Sequence, residues 1–235
     1  QGGSLRTRFN LDPRNGNLRV YDDPDPSKTY VLGADISDGV RGGDFSCGQV
    51  LCVENFRQVA VWHGLIEPTE FGKELWMLGR FYNTALMMPE VNSSGGSTLS
   101  YLVKNNYPSI YRMKLQDTIE PEESERLGWR TNIHTRRLML DDLRACVKDN
   151  LIHVQDVETL DELKTFVKNC MTGKMEAAPG NHDDRVMALA IAVQGVVTLR
   201  DEIKSRAQQD QDYMDVIRVR DGASQVAVGR GGYSG

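Results

Sequence analysis

The chain has 235 residues, 40% of them hydrophobic and 26% charged, with a formal net charge of −5. These are values of a folded domain able to bury a sizeable core. They exclude a strongly basic nucleic-acid coat, but not an enzyme that touches DNA through one local patch. No apolar run approaches the ~20 residues that cross a bilayer, so no membrane partner is expected. The four cysteines (Cys47, Cys52, Cys146, Cys170) form no Cys-x-x-Cys pair and read as buried intracellular thiols.

Residues 1–27 are rich in turn signals, Asp12-Pro13, Asn15-Gly16 and Asp23-Pro24-Asp25-Pro26, and read as a lead-in carrying one short strand at 18–21. A strand over 30–35 follows and ends in Asp35. A lone carboxylate is costly to bury there, so something must meet it. Two β-rich runs, 46–53 and 58–64, make a hairpin and complete a three-stranded antiparallel meander. Phe71, Leu75, Leu78 and Tyr82 recur at helical spacing and predict a helix over 70–82 with Thr69 as its cap. The apolar run 85–90 again ends in an acid, Glu90. Leu99, Leu102 and Val103 mark a second helix after Gly95-Gly96, and 109–113 is a further strand candidate.

Residues 114–131 lack periodicity and read as a long surface loop. A helix over 133–149, capped by Asn132 or Thr135, turns Met139, Leu143, Cys146 and Val147 inward. A short strand at 151–154 precedes another helix over 157–171 with Leu160, Leu163, Val167 and Cys170 on its inner side. After a turn-rich passage, His182-Asp183-Asp184 opens a last helix with Val186, Leu189, Ala190, Val193 and Val197 as its stripe. From 206 to 235 the chain is polar and reads as a disordered tail. The expected organisation is one α/β domain over 28–205, a mixed sheet flanked by helices.

Three acidic sites thus stand at element ends: Asp35, Glu90 and Asp183/Asp184. Neighbouring strands would bring the first two to one sheet edge, where a helix N-terminus can join them. Like charges at about 4 Å repel by roughly 4 kcal/mol at an effective dielectric of ~20. A hard divalent cation removes that penalty, and all-oxygen ligation suits Mg²⁺ or Mn²⁺.

Three stretches carry a family resemblance. They are Gly33-Ala34-Asp35-Ile36-Ser37-Asp38-Gly39 with Gly43-Asp44-Phe45-Ser46, then Pro89-Glu90-Val91-Asn92-Ser93-Ser94-Gly95, then Asn181-His182-Asp183-Asp184 running into Arg185-Val186-Met187-Ala188. Together and in this order they resemble the nuclease domain of the large terminase subunit of tailed bacteriophages. The resemblance covers about 28–200. It implies an RNase H-like fold, metal-dependent cleavage of double-stranded concatemeric DNA, and two Mg²⁺ or Mn²⁺ ions held by Asp35, Glu90 and Asp183 or Asp184. It also implies an N-terminal ATPase motor elsewhere in the subunit, since no Gly-x-x-x-x-Gly-Lys-Ser/Thr loop occurs here. Portal protein and small terminase subunit are the implied partners, and the host-cell cytoplasm the implied location.

Arg136 and Arg137, with His134, crowd a helix start where positive charge opposes the dipole, which favours phosphate contact. Arg41, Lys104, Lys114 and Arg130 are further candidates for gripping a DNA backbone. Asp38 and Asp44 read as turn residues, and His182 as a loop histidine. The competing readings are another RNase H-like nuclease (a junction resolvase or an RNA–DNA hybrid cutter), a portal-docking module without catalysis, and an actin-like nucleotide-binding fold.

Overall fold

The computed structural model describes residues 17–40, 43–92, 95–115, 124–168 and 173–228. The chain divides into two compact units, Gln1–Val196 and Val197–Gly235. The first is built on a five-stranded sheet of β1 (Leu18–Val20), β2 (Tyr30–Asp35), β3 (Ser46–Cys52), β4 (Arg57–Gly64) and β5 (Leu86–Pro89). Its order is β1-β4-β3-β2-β5. The β2–β3–β4 meander is antiparallel as expected, and β5 adds parallel to β2. β1 pairs with β4, so the lead-in contributes an edge strand to the same sheet.

The two central strands are buried on both faces; β3 is inaccessible along its whole length. One face packs against α1 (Pro68–Phe81) and α2 (Gly95–Lys104), with Phe71, Leu75, Leu78, Tyr82 and Leu102 meeting Leu32, Val50 and Trp62. The cap of α1 is Glu67, not Thr69: its carboxylate accepts the Thr69 and Glu70 N–H groups. Pro68 has no N–H to satisfy and so opens the helix earlier than the apolar spacing alone predicts. Cys47, Cys52 and Cys146 are buried. Cys170 lies outside the described residues.

Three sequence expectations give way to tertiary pairing. Within 114–131, expected as loop, β6 (Arg112–Leu115) and β7 (Ser124–Leu127) form an antiparallel ladder with Lys114 opposite Glu125. Short alternating strands whose connection is acidic carry almost no periodic signal of their own. α3 (Ile133–Lys148) is capped by Asn132, with Thr135 completing the reciprocal box, and buries Met139, Leu140, Leu143 and Cys146, but Val147 is exposed. α4 (Val157–Thr165) stops short of 171, because Phe166-Val167 has β preference and enters the ladder β8 (Phe166–Lys168) with β9 (Met175–Ala177). Leu160 and Val167, expected to face inward, are exposed, while the polar Thr159 of α4 is fully buried.

α5 (Asp184–Val228) is buried all round from Asp184 to Val196. Its seat on the sheet is set by glycines. A Cβ on Gly33 of β2 would lie 2.3 Å from the Ala192 nitrogen and 2.6 Å from the Ala188 carbonyl oxygen. One on Gly195 would lie 2.5 Å from Val31. Described by itself, the second unit is helical through Val228, where polarity predicts a tail without structure. No Pro or Gly interrupts 197–221 and helix formers dominate there. Among the described residues no helix is long and apolar enough to cross a membrane.

Gly33→Ala is expected to lose about 3 kcal/mol in urea unfolding, since the new methyl meets rigid backbone. Gly96→Ala, whose methyl would meet nothing within 4 Å on the exposed side of α2, is the control and should lose no stability.

Candidate metal centre

The parallel β2–β5 register pairs Ala34 with Pro89, and the Glu90 N–H donates to the Ala34 carbonyl at 2.9 Å. Asp35 and Glu90 therefore leave adjacent strands at the same edge. Glu90 is held there from behind: Gly95, first residue of α2, packs so closely that a Cβ would sit 1.8 Å from the Glu90 carbonyl oxygen. Asn92 donates to the Glu90 carboxylate at 3.1 Å and to the Thr131 carbonyl at 2.7 Å, which ties the acid to the segment leading into α3.

The N-terminus of α5 brings the third acidic site. Asp183 is the residue whose carbonyl accepts the first helical bond, from Met187 N–H at 2.8 Å. Asp184 is 5% exposed, and its Oδ2 is buried with no hydrogen-bond partner. Burial, the adjacent Glu90 carboxylate and then the charges of Asp184 and Asp183 hold the Asp35 acid well above the usual carboxylate range. Asp183 is raised as well, first by burial and then by Asp184, with Arg136 opposing. The four acids named from the sequence lie near enough for the charges of Glu90, Asp184 and Asp183 to act on Asp35, and Asp184 is the more enclosed of the last two.

Sequence reading missed the residues behind Asp184. In register across the meander, Asp35 stands opposite Cys47 and Cys47 opposite His63. His63 Nε2, also buried without a partner, lies 3.8 Å from Asp184 Oδ2; His182 Nδ1 lies 3.9 Å from the same oxygen on the exposed side. Phe45 touches both imidazoles, with ring centroids 4.9 Å from His63 and 5.4 Å from His182. A lone histidine in an apolar strand carries no motif that could have flagged it.

The basic candidates scatter. Arg136 reaches Asp183 at 3.5 Å and the Met175 carbonyl at 3.2 Å, so it balances an acid instead of facing outward. Arg137 pairs with Asp141 at 3.5 Å on the exposed side of α3. Lys104 is exposed in the last turn of α2, and Arg130 is half-buried beside Trp129, which bridges to Glu90. The Lys114 side chain and Arg41 lie outside the described residues. Asp38 and Asp44 are exposed.

The donors are hard oxygens with imidazole nitrogen nearby, and the buried Asp184 Oδ2 has a lone pair that no hydrogen bond uses. The residues fit a divalent cation chemically. Among the described residues, no three Asp, Glu, His or Cys side chains are drawn close enough to enclose one as they stand.

No family model matches the chain, and no curated protein matches it. Solved structures do. The large terminase nuclease from thermophilic phage G20c with bound magnesium aligns with a TM-score of 0.61 at 20% identity, over 77% of this chain and 88% of that one. The Thermus phage P74-26 large terminase nuclease domain aligns with a TM-score of 0.57 at 21% identity, over 76% and 85%. The G20c nuclease is also known with bound cobalt and with bound zinc. The fold is the RNase H-like α/β fold of these terminase nuclease structures.

Because folded Asp35 keeps a proton that the unfolded chain releases, the metal-free protein is expected to lose stability as pH rises from about 4. Below that value both states are protonated and the penalty vanishes. Asp35→Asn should therefore melt higher than wild type at pH 8 in EDTA and no differently at pH 3.5, as thermal scans at the two pH values would read.

Proposed function

We propose that this chain is a metal-dependent endonuclease domain of the phage terminase type, cutting double-stranded DNA concatemers with little sequence preference. The observation that supports the reading is that Asp35 and Glu90 end adjacent parallel strands of an RNase H-like fold, with the charge of Asp184 acting on Asp35 and the buried Asp184 oxygen unpartnered. Structural neighbours described as large terminase nucleases, some with bound divalent metals, support it.

Asp35, Glu90 and Asp184 would hold Mg²⁺ or Mn²⁺, two ions in the active complex, with Asp183 beside them. Bound there, the metal supplies an acidified water and charge stabilisation for the leaving oxygen of the phosphodiester. The chain's own residues prepare the place. Asn92 orients the Glu90 carboxylate, and Arg136 offsets the Asp183 charge so that the cluster is not purely anionic. Phe45 stacks on His63 on the β4 side and would lower the local polarity there, which strengthens charge interactions. Of the basic candidates, Arg130 and Lys104 remain as contacts for the DNA backbone. In a full-length subunit the domain would work with an ATPase motor, a portal and a small terminase subunit in the host cytoplasm.

Plasmid nicking is expected with Mn²⁺ or Mg²⁺ and not in excess EDTA. Asp35→Ala and Glu90→Ala should each lower the rate by more than the roughly 100-fold that partners of metal ligands typically cost, with the fold retained by circular dichroism. Activity surviving EDTA would refute the metal mechanism. A clear preference for four-way junctions or RNA–DNA hybrids in parallel assays would move the assignment to another RNase H-like nuclease.

A further inference from the structure

The start of α5 poses a specific problem. The first N–H groups of a helix have no partner within it, and an Asp at the N-cap ordinarily folds its own side chain back to accept one. Here Asp183 occupies that cap position, yet its carboxylate is directed to Arg136 and not to the helix backbone. Asp184 Oδ2 has no hydrogen-bond partner either. The N–H they would satisfy is taken by another element: Glu162 of α4 accepts the Arg185 backbone N–H at 2.9 Å through Oε2. Its other oxygen accepts from the Arg185 guanidinium at 2.8 Å. That guanidinium is also paired with Glu158 and lies 3.6 Å from the fully buried Asp156.

We propose that Glu162 is a positioning residue that caps α5 from outside, and so releases Asp183 and Asp184 from capping to face Asp35 and Glu90. Two observations give the carboxylate this task and not merely half of an ion pair. Glu162 is only 11% exposed, so its placement is not a surface accident. The Arg185 guanidinium has Glu158 and Asp156 as further acceptors, whereas the Arg185 N–H is bonded to Glu162 alone among the described residues. Without Glu162 the acceptors adjoining that N–H in the chain are the Asp183 and Asp184 carboxylates. Taking that N–H would turn one of them away from the cluster.

The inference rests on the metal-centre reading above and deepens it. Two substitutions separate capping from charge. Glu162→Gln keeps the length and an oxygen acceptor but removes the charge; Glu162→Asp keeps the charge but is one methylene too short to reach. Mn²⁺ affinity, measured by titration calorimetry on the whole chain, should stay within about twofold of wild type in Glu162→Gln and fall about tenfold or more in Glu162→Asp, as for residues that orient a ligand. The reverse order, or equal losses, would overturn the capping role in favour of electrostatics. Unchanged affinity in both variants would overturn it outright while leaving the metal centre standing, provided Asp184→Ala abolishes binding. Failure of wild type itself to bind Mn²⁺ would overturn both readings. Melting temperatures of the same variants guard against unfolding, and affinity that merely follows stability counts against the proposal.

Discussion

The contact on which this molecule depends is the backbone-to-backbone approach of α5 to β2 at Gly33. A hypothetical Cβ there falls inside the helix backbone at Ala188 and Ala192, so only glycine allows α5 to lie this close to the central strand. Asp35 is two residues beyond Gly33 on the strand, and Asp184 is one helical turn before Ala188. Any side chain at Gly33 would lift the helix and separate these two acids. The small residues of the last helix, Ala188, Ala190, Ala192 and Gly195, are therefore part of the site's geometry although none of them carries chemistry.

Two carboxylates in this fold, Asp156 and Asp35, meet opposite fates. Burial pushes Asp156 upward, but Tyr21, Thr159 and Arg19 donate to it and leave its carboxyl below the ordinary value. It is a fully provided structural anion, and its partners tie β1 to the start of α4. Asp35 is half-buried and faces the Glu90 carboxylate, with Asp184 and Asp183 near, and its acid is held well above the usual range. One aspartate is met by three donors, and the other has an acid as its neighbour.

The polar junction between α4 and α5 explains why α4 misled the apolar pattern. Its leucines suggest an inward stripe, yet its docking is carried by Glu158, Thr159 and Glu162, with Asp156 before it, against Arg185, Arg19 and Gln49. Removing one member of such a network strands buried charge, so it is demanding of geometry even where its net contribution is small. That rigidity suits an element whose position decides where two aspartates point.

Which parts of this were legible beforehand follows from the range of the forces involved. The strands expected at 30–35, 46–53 and 58–64, the α1 stripe and the acids at element ends were read from the sequence because hydrophobic period and turn chemistry act over a few residues. The β6–β7 and β8–β9 ladders were not, since short strands are stabilised by their partners more than by their own composition. By itself the sequence determined which carboxylates end their elements. Only the tertiary structure decided that Asp184 is the enclosed one, that His63 stands behind it, and that Glu162 caps the helix. Those facts depend on contacts such as Glu162 to Arg185, 23 residues apart, and Asp156 to Arg19, 137 apart, which no local pattern encodes.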